Sequence, residues 1–369
     1  MPNLKVENLN KIFKKGNVVA AENIDLEIKE GEYLTLLGPS GCGKTVFIRM
    51  IAGLETIDSG KIYIDGKLVN NVPTEDRDIG MVFQSYEIFP FMDVWDNVAF
   101  PGVVRRWSKR NIERRTYTAL EIVGLLEHAA DYPDMLSIPD LQRIAIARTL
   151  VTGSKLLLLD EPLSALDQRY SEEFRHELRR LVKEQGLTAI HITHDQDEAM
   201  MISDRIVIMR RGKFLQSGTP ADIYERPNSI FVANFIGESN FLEGEVFEIK
   251  EDGSLIMLRH NGPIIMSSNR DFKLGQRVVA SVRKELVKFR PYNVESAYSP
   301  EATVKRIGFV GSFMRIFCEL SNEDVVEVKA TYPTKFPIKI GDKIRIRIHP
   351  DNILLFKYPE DLEYELALD

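Results

Sequence analysis

The stretch at residues 38–45, GPSGCGKT, decides the fold of this chain. It matches the pattern G-x-x-x-x-G-K-[ST] in full. An apolar, strand-like run ends just before it at Leu37, and a helical pattern follows from Thr45 to Gly53. Glycines let the backbone curl so that successive N–H groups point at phosphate oxygens, and the helix adds the positive end of its dipole. The strand–loop–helix context therefore predicts a phosphate-binding loop on an α/β core.

Two side chains of this loop are expected to act on a nucleotide. Lys44 supplies a point charge to the outer phosphates, and Thr45 offers a hydroxyl to Mg²⁺. Val46 stands where such loops commonly carry a second hydroxyl, so one side-chain contact is expected to be missing. The residues predicted to bind the nucleotide here are Gly38, Pro39, Ser40, Gly41, Cys42, Gly43, Lys44, Thr45 and Val46.

A second motif places two acids directly after an apolar run. In LLLLDEP, at residues 156–162, Asp160 and Glu161 follow four leucines. Asp160 is expected to hold Mg²⁺ through water, as the acidic partner of a phosphate loop does, and Glu161 to polarise an attacking water. The alternative is a turn whose acids cap the next helix. The phosphate loop elsewhere in the chain favours the catalytic interpretation.

Length and composition limit the remaining function classes. The chain has 369 residues, 44 % hydrophobic and 28 % charged, with a formal net charge of −7, which indicates a globular protein of two domains without the basic excess of a nucleic-acid binder. The sequence holds no run of ~18 apolar residues that would span a membrane, and the N-terminus does not resemble a secretory signal. Cys42 and Cys318 make no disulfide framework, so a reducing, cytoplasmic compartment is expected.

The pattern of the chain changes near residue 236. Before that point, strand-like and helix-like segments alternate, which is typical of an α/β domain, and residues of about 86–150 are mostly helical. From about Glu238, short alternating strands separated by Gly, Asn, Pro and Asp predict an all-β, barrel-like module. The expected domains are therefore residues 1–236, with a helical insert, and residues 237–369. The strand-like segments of the first domain include KIYIDG, DIGMVF, KLLLLD, TAIHIT and a hairpin around Arg211 and Gly212.

Five segments together resemble the nucleotide-binding subunits of ATP-binding-cassette transporters. In chain order they are GPSGCGKT, MVFQSYEIFPFMDVWDNVAF, LSIPDLQRIAIARTL, LLLLDEPLSALD and HITHDQDEAM, and the resemblance covers residues 1 to about 236. The β-module is similar, more loosely, to the regulatory domain of the maltose-type import ATPases, through IGESNFLEGEV, VRKELVKF and IHPDNILLF. The resemblance implies a P-loop NTPase core with a helical insert, followed by an OB-like barrel.

The resemblance also implies roles for single residues. Phe13 matches the aromatic residue that stacks on adenine, although an aromatic in an apolar strand also suits a core. Gln84 matches the glutamine that contacts Mg²⁺ and the water, and His194 the histidine that holds the γ-phosphate. Asp167 matches a loop that contacts the opposite subunit. His191, three residues before His194, is interpreted as structural or surface-exposed.

The implied activity is ATP-driven transport with ATP and Mg²⁺ as cofactors. Two subunits, as a homodimer or as a heterodimer with a related chain, would sandwich ATP, and water would attack in line. The partners implied are two membrane-spanning permease subunits and, indirectly, an extracytoplasmic solute-binding protein; no nucleic acid is expected. The chain is then an importer subunit on the cytoplasmic face of the membrane, with a sugar as the expected cargo and iron, a polyamine or an oxyanion as alternatives. Exposed aromatics around Tyr86 and Phe91 would carry the docking surface, unless they fill the core of the insert.

The segment MLSIPDLQR, at residues 135–143, departs from the family pattern Leu-Ser-Gly-Gly-Gln. Ser137 remains as a contact to the opposite site, but Ile138 and Pro139 replace the glycines, and Pro139 has no N–H to give. Asp140 replaces the glutamine with a negative charge. As a helix start the segment is sound, with Ser137 as N-cap and proline in the first turn. We therefore expect a degenerate signature segment, Leu136 to Asp140, that weakens hydrolysis.

Two dimers remain open on this evidence. The chain either pairs with a second subunit whose segment is intact, or forms a homodimer with impaired turnover. A soluble, ATP-binding regulator with negligible hydrolysis is a competing function. A nucleic-acid enzyme is a third, which the acidic charge balance disfavours.

Overall fold

The computed structural model describes residues 4–164, 168–292 and 298–368. The chain divides into two compact units, one ending at Arg226 and one spanning Pro227–Leu368. This division lies upstream of the change in sequence pattern near Ile236, because the short helix Ile230–Phe235 belongs to the second unit. Asp167 lies outside the described residues.

The first unit contains ten strands and seven helices among its described residues. The strands are β1 Leu4–Phe13, β2 Val18–Ile28, β3 Tyr33–Leu37, β4 Ser59–Ile64, β5 Lys67–Leu68, β6 Ile79–Val82, β7 Leu156–Asp160, β8 Thr188–Thr193, β9 Arg205–Arg210 and β10 Lys213–Gly218. The helices are α1 Lys44–Ala52, α2 Val94–Val104, α3 Lys109–Ile122, α4 Ile138–Thr152, α5 Gln168–Glu184, α6 Gln196–Ile202 and α7 Pro220–Glu225.

A mostly parallel sheet forms the centre of this unit. Its six strands follow the order β10-β9-β3-β8-β7-β6, and every pair except β9–β10 is parallel. Strands β3, β7 and β8 are buried along their whole length, as expected for strands covered on both faces. Because parallel neighbours end at the same edge, the loops after β3, β6, β7 and β8 meet there. The α/β expectation is confirmed.

Two further layers pack on this sheet. An antiparallel sheet, ordered β2-β1-β4-β5, shares one hydrophobic core with α1 and one face of the central sheet. Helices α2, α3 and α4, which come between β6 and β7, share the other core with α5. The helical stretch seen in the sequence is thus an insert between two neighbouring parallel strands.

The second unit is built almost entirely of antiparallel strands. They are β11 Ser239–Lys250, β12 Gly253–Leu258, β13 Ile264–Ser267, β14 Arg277–Arg283, β15 Lys288–Pro291, β16 Glu301–Phe309, β17 Phe313–Leu320, β18 Val325–Thr331, β19 Lys343–Arg347 and β20 Leu354–Lys357, with short helices α8 Ile230–Phe235 and α9 Leu362–Leu366. Two five-stranded sheets, β13-β12-β11-β14-β20 and β15-β19-β16-β17-β18, enclose one apolar core. This confirms the all-β expectation.

Among the described residues, every helix is too short or too polar to cross a bilayer.

Candidate active site

The phosphate loop is shaped by close backbone approaches on both sides. Gly43 adopts φ +111° directly before α1, and a Cβ at this position would lie 2.2 Å from the carbonyl oxygen of Ala20. A Cβ at Gly38 would lie 2.2 Å from the carbonyl oxygen of Met209. Both positions therefore exclude any side chain, which explains why the loop needs glycine at its two ends.

Lys44 folds back across the loop. Its Nζ donates to the carbonyl oxygens of Gly38 and Pro39, at 2.7 and 2.8 Å, and the side chain is buried. Cys42 is also buried, and burial raises the pKa of its thiol. Val46 packs against the hydrophobic core beneath the loop, so the residue that replaces a hydroxyl serves packing in this chain. The first-turn N–H groups of α1 have no acceptors within the helix and remain available to an anion.

A hydrogen bond joins the loop to the end of β7. The Thr45 hydroxyl donates to Oδ1 of Asp160 over 3.2 Å, although the two residues are far apart in sequence. Asp160 is only 6 % exposed, and burial raises the pKa of its carboxyl group while the Thr45 hydrogen bond opposes that effect. A hydroxyl and a nearly buried carboxylate side by side suit Mg²⁺, which prefers oxygen ligands and keeps most of its shell for water and phosphate. Consistent with so few protein ligands, no group of three His, Cys, Asp or Glu able to hold a metal exists in the described ranges.

Glu161 is the meeting point of three loops. Gln84 Nε2, after β6, donates to its Oε2 at 3.2 Å, and His194 Nδ1, after β8, lies 3.4 Å from its Oε1. The backbone at Glu161 has φ +46°, an unusual conformation for a side-chain-bearing residue, and its N–H donates to the carbonyl of Ile192 at 3.0 Å. The structure thus brings together the three residues that the sequence assigned to catalysis.

The comparisons with known proteins give a consistent result. A family model described as ABC transporter matches residues 21–164, and one described as TOBE domain matches residues 280–356. The "Spermidine/putrescine import ATP-binding protein PotA" of Thermotoga maritima is 35 % identical over 365 residues, covering 97 % of this chain and 99 % of that protein. The chain belongs to the ATP-binding-cassette transporter ATPases. Members of this family bind ATP with Mg²⁺ and couple its hydrolysis to transport, and so does this ATPase.

Further relatives and solved structures agree with this assignment. The "Fe(3+) ions import ATP-binding protein FbpC" of Fusobacterium nucleatum is 36 % identical, covering 96 % of this chain and 93 % of that protein. An ATP-binding cassette solved as a dimer with ADP and Pi matches 59 % of this chain and 98 % of its own, with 31 % identity and a TM-score of 0.52. The cbiO1 protein of Clostridium perfringens, part of the transporter complex cbiONQ, matches 63 % of this chain and 94 % of its own, with 31 % identity and a TM-score of 0.57. The likeness to maltose-type ATPases therefore holds only for the family as a whole, and the relatives do not support a sugar as cargo.

The signature segment of this cassette ATPase starts α4 as expected. Ser137 is the N-cap, with its Oγ accepting from the Asp140 N–H at 3.4 Å. Its hydroxyl donates to Oδ2 of Asp140 at 2.5 Å, so this donor is already used within the segment. Arg143 lies 2.9 Å from the other oxygen of Asp140 and also pairs with Glu177. Ile138 is 47 % exposed beside this cap.

The three aromatic residues with predicted contacts, Phe13, Tyr86 and Phe91, lie in different environments. Phe13 ends β1 and is half-buried, with the ammonium of Lys11 5.1 Å from its ring centre. Phe91 is 72 % exposed, whereas Tyr86 is buried and accepts a hydrogen bond from Gln142, so at position 86 the alternative of a core aromatic is confirmed and the exposed one is wrong. The apolar insert core around Tyr86 explains this.

Of its two expected placements, His191 has the structural one. It is fully buried in β8, with Nδ1 2.8 Å from the Tyr33 hydroxyl and Nε2 3.1 Å from Oε1 of Glu198. The contacts of His191 were not predicted from the sequence: Tyr33 lies outside the five family segments, Glu198 lies within HITHDQDEAM, and both reach His191 from other elements.

We expect opposite effects on stability from neutralising Asp160 and Asp204. The pKa of Asp160 is raised above its usual 3.8 by burial, so its neutral form favours folding below that pH, and this contribution is lost as pH rises through the folded pKa. Burial alone would raise the pKa of Asp204, but Lys183, the Tyr33 N–H and Arg179 hold it below its usual range, so its contribution is lost as pH falls.

Thermal unfolding in EDTA tests this pair. At pH 7, Asp160→Asn is expected to unfold at a higher temperature than the wild type and Asp204→Asn at a lower one. The Asp160→Asn difference should shrink as pH falls towards 3.8, and the Asp204→Asn difference should shrink only as pH falls below 3.8. A less stable Asp160→Asn protein at pH 7 would contradict this electrostatic description of the site.

Proposed function

We propose that this ATPase is the energy-coupling subunit of an importer for polyamines. The main support for this cargo is the 35 % identity, across nearly the full length of both chains, to a protein named for spermidine and putrescine import. A relative from Fusobacterium nucleatum with the same name is 40 % identical over 88 % of both chains. Fe³⁺ is the second candidate cargo, because the iron-import relative is matched over a similar length.

In the proposed mechanism, the loop residues 38–46 bind the phosphates of ATP. Lys44 exchanges its two carbonyl acceptors for phosphate oxygens, which are stronger acceptors because they are charged. Thr45 and Asp160 hold Mg²⁺, which when bound neutralises charge on the phosphates. Phe13 offers a π face to adenine from the end of β1.

Glu161 is proposed as the residue that polarises the attacking water. Its carboxylate is fixed from two sides by Gln84 and His194, so its direction is set before the nucleotide binds. His194 is 55 % exposed at its side chain, which leaves it open to a γ-phosphate. Positioning of this kind supplies most of the rate in phosphoryl transfer, where the protein makes little covalent chemistry of its own.

The working form is proposed to be a nucleotide-sandwich dimer, either of two copies or with a related subunit. Ser137 and Asp167 would contact the opposite site. At α4 the Asp140 carboxylate already occupies the hydrogen-bonding position of the Ser137 hydroxyl, and Pro139 gives no N–H. We therefore propose that this segment supports hydrolysis weakly.

The membrane partners are proposed to be two permease subunits, reached from the cytoplasmic face, with a solute-binding protein on the other side. A groove of about 410 Å³ beside the insert offers a docking site. Phe89 and Phe100 line it, with Arg148 stacked 4.5 Å from the ring centre of Phe89, and Phe91 lies exposed nearby at 5.9 Å from that ring. Apolar rings beside a cation suit an amphipathic helix with an acidic side chain.

Restoring the signature segment is expected to raise ATP turnover. The triple variant Ile138→Gly, Pro139→Gly, Asp140→Gln returns an N–H and removes a charge. A charge-assisted hydrogen bond of this type contributes roughly 1.5–3 kcal/mol, which corresponds to about ten- to a hundredfold in rate. Turnover of purified protein at saturating MgATP measures the effect, with Asp140→Gln alone as the control that keeps the proline. Equal turnover of the triple variant and the wild type would refute the weakened segment.

Cargo can be tested without knowing the membrane partners. A strain lacking this chain is complemented with the wild type or with Lys44→Ala, and uptake of labelled spermidine, Fe³⁺ and maltose is measured. The proposal predicts spermidine uptake that is restored only by the wild type, with iron and maltose unchanged. Restoration of iron uptake alone would replace polyamine by Fe³⁺, and restoration of neither would reject both cargoes.

A further inference from the structure

We propose that Glu198 is a positioning residue for ATP hydrolysis: with His191 and Tyr33, it fixes the turn that presents His194 to Glu161. This inference rests on the proposed role of His194 and extends it to residues that never touch the nucleotide. His194 is more than half exposed at its side chain, so little packing holds it. Its position must then be set by the backbone of the turn, and that turn is held by Glu198.

Glu198 forms hydrogen bonds with the residues on both sides of His194. It lies in α6 and is only 4 % exposed. The Thr193 hydroxyl donates to its Oε2, and the Asp195 N–H donates to Thr193 Oγ1 at 3.0 Å. In return, Asp195 caps α6 by accepting from the Glu198 N–H at 3.0 Å. Glu198 therefore holds both ends of the turn, through its contacts to Thr193 and to Asp195.

The other oxygen of this carboxylate faces a buried relay. Oε1 lies 3.1 Å from Nε2 of His191, and Nδ1 of that ring lies 2.8 Å from the Tyr33 hydroxyl. Both Nε2 and Oε1 are buried, and among the described residues neither forms a hydrogen bond, so the 3.1 Å approach is a close polar contact. Tyr33 stands at the start of β3, the strand that leads into the phosphate loop. The relay thus connects the strand of the loop to the turn of His194.

Two groups of the relay have shifted pKa values. Burial alone would raise the pKa of Glu198, but His191, the Thr193 hydroxyl and Arg175 together hold it below its usual range, so it is an ionised acceptor. Burial raises the pKa of Tyr33, so its hydroxyl stays protonated at 2.8 Å from Nδ1 of His191. Glu198 is therefore the charged acceptor at the turn.

Arg175 holds the same turn from α5. Its guanidinium lies 3.3 Å from Oδ2 of Asp195, and it is 8 % exposed. Burying such a charged set is a poor way to gain stability, because desolvation offsets most of the attraction. Because Thr193 and Asp195 flank His194, these buried charges serve to position the His194 turn.

A double-mutant cycle tests the proposal on the full-length chain. Glu198→Gln keeps the shape and an acceptor but removes the charge, and it is compared with His194→Ala and with the double variant. Single-turnover hydrolysis of labelled ATP gives rates even for slow proteins, and KM for ATP and the unfolding temperature are measured alongside. Glu184→Gln, at an exposed glutamate of α5 that lies 4.0 Å from Arg180, is the matched control.

The proposal predicts a split between rate and binding. Glu198→Gln should lower the hydrolysis rate roughly ten- to a hundredfold with KM for ATP nearly unchanged. In the His194→Ala background, the same substitution should change the rate by less than about twofold, because its effect passes through His194. Tyr33→Phe, which removes one hydroxyl at the far end of the relay, should show a smaller loss in the same direction. Glu184→Gln should match the wild type.

Several results would overturn the proposal. Wild-type hydrolysis by a folded Glu198→Gln protein would do so, as would an equal loss with and without His194. If Glu198→Gln does not fold, an unchanged rate in Tyr33→Phe decides against it. An unchanged rate in His194→Ala would refute the role of His194 itself and the inference with it, whereas the cargo proposal would be unaffected.

Discussion

The parallel pairing of β3, β8, β7 and β6 is the constraint on which the site depends. Parallel neighbours end at one edge, so the loops that follow them must meet there. Asp160 joins Thr45 across that edge, and Glu161 receives Gln84 and His194 from the strands on each side. Asp160 is held almost out of water at this edge, and burial raises the pKa of its carboxyl group because the charged form loses contact with solvent.

Much of this arrangement was predictable because it depends on local sequence. The loop needs glycine where Ala20 and Met209 approach, and a strand followed by Asp160 and Glu161 can only place them at the strand end. The cap at Ser137 was also predictable, since Ser, Pro and Asp have fixed preferences in a first helical turn. The antiparallel second unit followed from alternating short strands.

The remainder depends on contacts between distant residues. The sequence around Tyr86 does not show whether this aromatic is exposed or buried, and the packing of the insert buries it. The contacts of His191 cannot be predicted from its own segment, because Tyr33 lies on β3 and Glu198 on α6. The cargo is also absent from these patterns, because the motifs concern the nucleotide and not the transported solute. A sugar was expected from the loose resemblance of the β-module, whereas the full-length relatives are named for polyamine and iron import.

We propose that Glu161 directs water at a nucleotide held by the phosphate loop. Glu161→Gln tests this role, by isothermal titration of MgATP and single-turnover hydrolysis on the same preparation. We expect a dissociation constant close to that of the wild type and hydrolysis that is slower by roughly a hundredfold or more. Binding and hydrolysis both equal to those of the wild type would contradict it.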